Sequence, residues 1–419
     1  MAQKYGFNTR VLHGNPESRF ADGSPLPPIA QVNAFAHSSA ENHEAVFANR
    51  KPGFAYTRVA NPTVAELERV VNRMEEGAAT VAYASGMAAL TALFVSLLRE
   101  GDEIVSAPCL YGGTVELMGV LRRLGVRAVF VGENTPEAFE QATGDSTRLL
   151  FTETIGNPFL DVADIAGLAG VAHAHGIPLA VDNTVTTLYL VRPLELGADL
   201  VVNSTSKFID GSSNALGGTL TYSGRFSWDF AKFPGLEPFA RFGPFALVVR
   251  LRNDVSPALG GCQSPQNAFY TLVGAQTLGV RMDRICATAQ QLAEHLAAEA
   301  AAGRFSVRYP GLSDDPGHDL AERQFNGKFG GIFTLRLGTK ERAFAFLNAL
   351  ELASIVSNIG DARTLVVHPA TTIAAHLSPQ EQEASGVFPD MVRVCVGLED
   401  VADLIADFDA ALRKIEEEK

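Results

Sequence analysis

From Pro62 onward, short apolar runs alternate with longer stretches in which apolar residues recur every three or four positions. Five runs have the length and composition of buried strands: 103–106, 126–131, 149–153, 179–182 and 199–203. Helical periodicity lies before or between them, at 63–74, 85–98, 113–124 and 165–175. Because parallel strands need crossover connections, this alternation predicts an α/β fold with a mostly parallel sheet and helices on both faces. The run at 80–83 is interpreted as a short link.

Two segments interrupt this pattern. Residues 1–60 carry many Gly, Pro, Asn and Ser residues and little periodicity, so we expect an N-terminal arm that lies on a partner subunit. Residues 210–262 are rich in Gly, Phe and Pro, and their periodicity is also poor.

The last third of the chain has shorter elements. A helical stretch at 267–302 is followed by predicted strands at 305–309, 331–337 and 391–396 and by helices at 340–350 and 401–417. We therefore predict three parts: an arm (1–60), a large domain (61–262) and a smaller C-terminal α+β domain (263–419).

Composition and charge argue against several classes of protein. The net charge is −13 and the sequence pI is about 5.2, which disfavours a nucleic-acid partner because such a partner requires a basic face. No apolar run reaches membrane-spanning length, and residues 1–8 contain no apolar signal segment. The four cysteines form no CxxC pair, so we expect reduced thiols in a cytoplasmic protein, with no disulfide framework and no metal site.

Two neighbouring predicted strands end in polar residues that are 25 positions apart, Asp182 and Lys207. Ligands of open α/β sheets bind at this carboxyl edge. A lysine, an acid and the hydroxyls of Ser204 and Ser206 suit pyridoxal phosphate (PLP): the amine bonds to the cofactor, the acid pairs with the pyridine nitrogen and the hydroxyls hold phosphate. The alternatives are a helix-capping Asp182 and a surface Lys207, although the apolar residues that follow Lys207 argue against the latter.

Weaker signals lie in three other segments. Ser85-Gly86-Met87 opens an apolar helix, where free backbone N–H groups make an anion site, but many ordinary helices also begin with Ser-Gly. Tyr111 is either a turn aromatic or a ring that stacks on a flat ligand. Arg393 lies on a strand with two apolar faces and therefore requires an anion, either a structural acid or a substrate carboxylate. No GxGxxG motif follows a first strand, which disfavours a nucleotide-dependent dehydrogenase.

Together, eight segments along nearly the whole chain resemble the Cys/Met-metabolism family of PLP enzymes. They are Tyr56-Thr57-Arg58 with Asn61-Pro62-Thr63, Ala84-Ser85-Gly86-Met87-Ala88-Ala89, Tyr111-Gly112-Gly113-Thr114, Glu153-Thr154-Ile155-Gly156-Asn157-Pro158, Val181-Asp182-Asn183-Thr184, Ser204-Thr205-Ser206-Lys207, Ser357-Asn358-Ile359-Gly360-Asp361 and Val392-Arg393-Val394-Cys395-Val396-Gly397-Leu398-Glu399. The resemblance implies the aspartate-aminotransferase-like PLP fold type I, with PLP bound by the large domain.

The resemblance also implies roles for the matching residues. Lys207 would bond to PLP and move protons, Asp182 would pair with the pyridine nitrogen, and Tyr111 would stack on the ring and assist the leaving group. Arg393 would hold the substrate carboxylate, with Asn358 nearby. The remaining implied PLP contacts are Asn157 at the phenolic oxygen and, at the phosphate, Ser85, Gly86, Met87, Ser204, Ser206 and the adjacent subunit's copies of Tyr56 and Arg58.

Within the family, the chain most resembles the O-acetylhomoserine sulfhydrylases. Lys207 and Ser264 are 57 positions apart, a longer span than in cystathionine enzymes and methionine γ-lyases. Position 113 is Gly where methionine γ-lyases carry Cys, and position 357 is Ser where cystathionine synthases and lyases usually place Glu. The chain departs from the family at Thr205-Ser206, usually Ala-Thr, and at 211–214, Gly-Ser-Ser-Asn instead of Gly-His-Gly, where access for substrate or sulfur donor could differ.

The resemblance implies γ-replacement in methionine biosynthesis, in which O-acetyl-L-homoserine and sulfide, or another thiol donor, give L-homocysteine (or methionine) and acetate. A methionine or cystathionine γ-lyase and a cystathionine γ-synthase are the alternatives on the same fold. A non-enzymatic PLP-binding protein is disfavoured by the intact set of Lys207, Asp182 and Arg393. The sequence leaves open an acetyl, succinyl or phosphoryl leaving group, and sulfide, methanethiol or a protein thiocarboxylate as sulfur source. The family also implies a homotetramer built from two dimers.

Overall fold

The computed structural model describes residues 5–13, 20, 23–300 and 303–417. Parts of two predicted segments lie outside the described residues: 1–4, 14–19 and 21–22 of the arm, and 301–302 at the end of the predicted long helix. None of the described helices is long and apolar enough to cross a membrane.

A seven-stranded sheet is the centre of the larger part of the chain. In chain order its strands are β1 (Ala79–Tyr83), β2 (Glu103–Ser106), β3 (Arg127–Phe130), β4 (Thr147–Glu153), β5 (Leu179–Asp182), β6 (Leu200–Asn203) and β7 (Gly218–Tyr222). Across the sheet the order is β1-β7-β6-β5-β4-β2-β3. The five strands from β6 to β3 are parallel, and β7 runs antiparallel to both β6 and β1. The carboxyl ends of β4, β5 and β6 therefore lie side by side at one edge.

Helices cover this sheet and extend to the smaller part of the chain. They are α1 (Phe7–His13), α2 (Ala40–Phe47), α3 (Pro62–Glu75), α4 (Gly86–Leu97), α5 (Gly112–Arg123), α6 (Pro136–Ala142), α7 (Ile165–Ala174), α8 (Thr187–Leu190), α9 (Ala246–Arg250), α10 (Ser256–Leu259), α11 (Pro265–Ala275), α12 (Leu278–Ala300), α13 (His318–Gln324), α14 (Lys340–Ala349), α15 (Pro379–Ala384) and α16 (Val401–Glu417). Short 3-10 segments lie at Pro193–Leu196, Pro234–Phe245 and Pro369–Thr371, and a π-helical turn lies at Leu251–Val255. Side-chain caps fix several helix starts: Asn61 accepts a hydrogen bond from the N–H of Thr63, and Ser85 from that of Ala88.

A second sheet of five strands belongs to the C-terminal part. Its strands are β8 (Ser306–Arg308), β9 (Ile332–Arg336), β10 (Ser354–Ile355), β11 (Leu365–Val367) and β12 (Met391–Cys395), in the spatial order β10-β11-β12-β9-β8. β12 is the central strand, antiparallel to both β11 and β9. A mostly parallel α/β sheet with a smaller α+β part was predicted, and the two sheets confirm it.

The long helix α12 contributes to two hydrophobic cores. Met282 and Ile285 pack in the core around the seven-stranded sheet. Leu292 and Leu296, further along the same helix, pack in the core around the five-stranded sheet. The proposed domain boundary at residue 262 remains a prediction. The helix α12 packs in the cores on both sides of this boundary.

Three local predictions were wrong. The segment 80–83 is not a link but most of β1, an edge strand that pairs with β7. β7 itself lies in the segment 210–262, where no strand was predicted. The hydroxyls of Thr80 and Thr221, 141 positions apart, are hydrogen-bonded across this pair, so the pairing depends on contacts that no local pattern reveals.

The predicted helix at 267–302 is two helices, α11 and α12, separated at Gln276-Thr277. Gly274 packs so closely on the chain after β6 that a Cβ at this position would lie 2.2 Å from the backbone oxygen of Asp210. Arg281 donates hydrogen bonds to the backbone oxygens of Gly274 at 2.7 Å and Phe208 at 2.6 Å. Residues on both sides of the break between α11 and α12 therefore hold the chain that follows Lys207 in place.

Glu75 is a fully buried acid at the end of α3, and we predict that Glu75→Gln stabilises the protein at pH 8. Its Oε1 accepts a hydrogen bond from Nδ2 of Asn203 at 2.7 Å, and burial raises its pKa from 4.5 to about 7. Because the folded-state pKa is the higher one, stability falls as pH rises from about 4.5 to about 7. This gap corresponds to about 3 kcal/mol, at ~1.36 kcal/mol per pKa unit.

Glutamine keeps the acceptor for Asn203 and removes the ionisation. Urea unfolding at pH 5 and pH 8 should therefore give a gain that is larger at pH 8. The exposed position Glu322 provides the control variant Glu322→Gln. An equal stability change at both pH values would contradict the assignment.

Candidate active site

The ends of β5 and β6 bring Asp182 and Lys207 to one cavity of about 220 Å³. Asp182 Oδ1 accepts a hydrogen bond from the N–H of Thr184 at 2.9 Å, and Thr184 Oγ1 accepts one from the N–H of Ser204 at 2.8 Å. These bonds fix the chain after β5 to the loop after β6. The positions of the acid and the lysine are therefore coupled through backbone as well as through the sheet.

Both parts of the chain supply the walls of this cavity. From the larger part come Ser85, Gly86, Met87, Leu90, Tyr111, Glu153, Asn157, Asp182, Thr184, Val185, Ser204, Ser206, Lys207 and Leu216, and from the smaller part Ser357, Asn358, Ile359, Ile373 and Arg393. The set includes every site residue predicted from the sequence except Tyr56 and Arg58.

Lys207 is partly buried among polar groups. Its Nζ donates a hydrogen bond to Oδ1 of Asn358 at 2.5 Å. Burial lowers the pKa of Lys207, the nearby guanidinium of Arg393 lowers it further, and Cys395 opposes the change. A lysine in this environment holds its proton less tightly than one in water, which a residue that moves protons requires.

Asp182, which is half-buried, and the buried Glu153 form a pair of carboxylates on adjacent parallel strands. Burial raises the pKa of Asp182, and burial together with the charge of Asp182 raises the pKa of Glu153 well above its usual range. No Lys, Arg or His forms a salt bridge with Asp182 among the described residues. A cationic group bound in the cavity would compensate this carboxylate, and the protonated pyridine nitrogen of PLP is such a group.

Tyr111 lines the cavity from the larger part of the chain, and Arg393 lines it from the smaller part. The N–H of Tyr111 donates to Oε1 of Glu153 at 2.6 Å, and the side chain is 43% exposed. Arg393 is 3% exposed and donates to Oδ1 of Asn157 at 3.0 Å and to the backbone oxygen of Asn358 at 3.1 Å. Burial lowers the pKa of Arg393 to about 10.

The start of α4 forms a cradle for an anion. The first N–H groups of a helix lack intrahelical acceptors and attract negative charge. A Cβ at Gly86 would lie 2.9 Å from Cβ of Ser204, so only glycine allows the loop after β6 to pass this close. Ser204 presents its side chain to the same cavity, whereas Oγ of Ser206 is bonded to both the oxygen and the N–H of Gly217, at 3.0 and 2.9 Å. The acid, the lysine and this cradle fit a phosphate-bearing pyridine.

Tyr56 and Arg58 lie outside this cavity. Arg58 donates to the backbone oxygen of Pro257, and its guanidinium lies 5.5 Å from the centre of the Tyr56 ring. Their predicted contact with the phosphate of an adjacent subunit remains a prediction.

Glu153 and Thr184 were not predicted as site residues, although both line the cavity and both lie in segments that carried the family resemblance. Glu153 ends a buried strand beside the one that ends in Asp182, and Thr184 follows Asp182 by two positions. The sequence did contain a signal for these two residues, because polar residues stand at the ends of the adjacent parallel strands.

A lysine, an acid and an anion cradle at the carboxyl edge of such a sheet are the site of a PLP-dependent enzyme of fold type I. The chain belongs to the family of Cys/Met metabolism PLP-dependent enzymes, whose model matches residues 8–413. The predicted family, fold type and cofactor are confirmed.

Several relatives are similar over nearly their whole length. The O-acetyl-L-homoserine sulfhydrylase of Leptospira meyeri is 36% identical, with 99% of this chain and 98% of that protein covered. The L-methionine γ-lyase of Fusobacterium nucleatum is also 36% identical, with 99% of each covered. A crystal structure of a putative O-acetylhomoserine (thiol)-lyase from Campylobacter jejuni, which contains a pyridoxyl-lysine monophosphate, is 28% identical with a TM-score of 0.91, covering 98% of this chain and 100% of that one.

Proposed function

We propose that this protein catalyses γ-replacement on O-acetyl-L-homoserine with sulfide, or another thiol donor, to give L-homocysteine (or methionine) and acetate. The observation that carries the proposal is the buried Arg393, which lies in the same cavity as Lys207 and forms no salt bridge with Asp or Glu among the described residues. Its bonds to Asn157 and Asn358 are to neutral oxygens, so the α-carboxylate of an amino acid is the anion that it lacks.

The choice within the family has separate support. Relatives at 36–38% identity that are named O-acetyl-L-homoserine sulfhydrylase support the substrate. Gly113 and Ser357 stand where methionine γ-lyases and cystathionine enzymes place a Cys and a Glu. An L-methionine γ-lyase is also 36% identical in sequence, so γ-elimination is the second candidate reaction.

Four residues of the cavity have defined tasks in this proposal. PLP, when bound, supplies an electron sink that makes the Cα and Cβ protons of the amino acid removable. Lys207 accepts and returns these protons, since burial and Arg393 favour its neutral amine. Asp182 would keep the ring nitrogen protonated, Tyr111 would lie against the ring and assist departure of the leaving group, and Arg393 would orient the substrate through its carboxylate.

The assembly and the location are proposed from other observations. We propose a homotetramer of two dimers, in which Tyr56 and Arg58 reach the phosphate of the adjacent subunit. Both residues lie outside the cavity of their own chain, and the Tyr56 ring is 40% exposed beside the guanidinium of Arg58. A cytoplasmic location is supported by the four free cysteines.

Product analysis tests the reaction. The PLP-loaded protein is given O-acetyl-L-homoserine with and without sulfide, and homocysteine and 2-ketobutyrate are quantified. Homocysteine that forms only with sulfide supports γ-replacement. Ketobutyrate and ammonia in the absence of sulfide would instead assign a γ-lyase, and activity with O-succinyl- or O-phosphohomoserine in preference to the acetyl ester would correct the leaving group.

Arg393→Lys should raise KM for the amino-acid substrate about 10- to 100-fold while PLP stays bound. Lysine keeps the charge but loses the planar pair of N–H donors that matches a carboxylate. Steady-state kinetics at fixed sulfide concentration measure the effect. Arg284→Lys, at an exposed pair with Asp400, is the control and should leave KM unchanged. If Arg393→Lys had the KM of the wild type, Arg393 would not be a substrate-binding residue.

A further inference from the structure

Ser213, in the loop that follows Lys207, has a backbone conformation that serine rarely adopts. Its φ is +55°, in the left-handed region where a Cβ costs energy and glycine is preferred. Ser213 also lies in the segment 211–214, where the sequence departs from the Gly-His-Gly of the family. A residue held in such a conformation beside an active site suggests a role for its side chain.

The Ser213 hydroxyl contacts the side chain of Asn358, which belongs to the C-terminal part of the chain. Its Oγ accepts a hydrogen bond from Nδ2 of Asn358 at 2.9 Å. Asp361 lies near the same serine: burial opposes the change, but interactions with Arg363 and Ser213 hold the pKa of Asp361 below its usual value. Because a carboxylate only accepts, its presence beside the hydroxyl favours the arrangement in which the Ser213 oxygen accepts from Asn358.

The opposite end of the Asn358 amide faces Lys207. Oδ1 of Asn358 accepts from Nζ of Lys207 at 2.5 Å. When the amine is protonated, a half-turn of the amide would exchange its oxygen for its NH2 group and place two sets of donors against each other. The acceptor supplied by Ser213 therefore selects the orientation in which the amide oxygen meets the amine.

We propose that Ser213 is a positioning residue for Lys207: its hydroxyl fixes the Asn358 amide so that Oδ1 faces the free amine. The contact forms when the amine is not bonded to PLP, which is the state in which Lys207 carries protons. The inference rests on Lys207 as the PLP-bonded residue and does not depend on which substrate the enzyme uses.

The test compares Ser213→Ala and Ser213→Gly with Ser212→Ala in cofactor-free protein. Ser212 is also exposed, and it contributes its backbone N–H to Asp210. Competitive labelling with acetic anhydride over a pH series, quantified by mass spectrometry at Lys207, gives the pKa of the amine. Oδ1 stabilises the protonated amine, and burial, Arg393 and Cys395 stay the same in all variants. Both Ser213 variants should lower this pKa by about 0.5–1, and Ser212→Ala should not change it.

Two further measurements separate the hydroxyl from the backbone. Ser213→Gly should melt at a higher temperature than Ser213→Ala, because glycine adopts a φ of +55° without strain. In the PLP-loaded enzyme, kcat should fall about tenfold for both, with its pH profile displaced in the same direction as the Lys207 pKa. The proposal would be overturned if the pKa of Lys207 in both Ser213 variants equalled that of the wild type. It would also be overturned if Ser213→Ala changed this pKa and Ser213→Gly did not. Neither result would bear on the proposed reaction.

Discussion

Lys207→Ala is expected to remove covalently bound PLP and to reduce turnover by roughly 10²–10⁴-fold or more, since the variant loses both the amine that bonds to the cofactor and the group that moves protons. Lys207 is placed for both tasks by the loop after β6, which Arg281 holds through the backbone oxygens of Phe208 and Ile209. Borohydride reduction followed by mass spectrometry should find PLP on Lys207 in the wild type and on no lysine of the variant.

The matched control is Lys340→Ala, at the start of α14, where the ammonium lies 5.2 Å from the ring of Phe344. This variant should keep both the bound PLP and the turnover of the wild type. Normal turnover in Lys207→Ala, or a PLP adduct on another lysine of the wild type, would show that the central assignment is wrong.

Asp182→Asn is expected to have opposite effects on activity and on stability. With PLP bound, kcat/KM should fall roughly 10²–10³-fold, because the neutral amide cannot keep the pyridine nitrogen protonated. Without PLP, the variant should be more stable at pH 8. Burial raises the pKa values of Asp182 and of its neighbour Glu153, so the folded cofactor-free protein loses stability as pH rises above the usual carboxyl range. Removal of one carboxylate relieves that loss.

Glu153→Gln is the informative comparison for this prediction. It removes the other charge of the pair and keeps an oxygen for the N–H of Tyr111, so it should give a similar gain in cofactor-free stability with a much smaller loss of activity. Urea unfolding of the cofactor-free proteins at pH 5 and pH 8, together with kcat/KM of the PLP-loaded ones, separates the two roles. A cofactor-free Asp182→Asn that is less stable than the wild type at pH 8 would contradict the argument.

The parallel half of the fold could be predicted from the sequence because each of its strands carries its own signal. β2 was predicted to the residue, and α3, α4 and α16 to within one residue at each end. β1 and β7 could not be predicted in this way. Gly218 and three threonines interrupt the apolar residues of these two strands, so neither shows the apolar run of a buried strand. Each strand is stabilised by pairing with the other, which lies more than a hundred residues away in the sequence. The break between α11 and α12 likewise depends on the approach of Gly274 to Asp210.

For the candidate site, sequence patterns indicated the residues but not their contacts. Asp182 and Lys207 were identified from their strand ends, and Arg393 from its apolar strand. That the guanidinium of Arg393 bonds to Asn157, 236 positions away, follows only from the packing of the five-stranded sheet against the larger part. The αL conformation of Ser213 has no local signal either, since serine is not a residue that favours it.

Because α12 contributes to both cores, the order of synthesis restricts when this enzyme can become functional. A nascent chain that ends at residue 277 has all seven strands of the main sheet but lacks Met282 and Ile285, which complete its interior. Ile332, Ile359 and Cys395 belong to the same interior, and Arg393 lies within the last 30 residues of the chain. Although domains generally fold in the order in which they leave the ribosome, here the first-made half depends on the last-made one. Since Ser357, Asn358 and Arg393 line the cavity, we expect the site to be complete only after the C-terminal part has been made and has packed against the larger part.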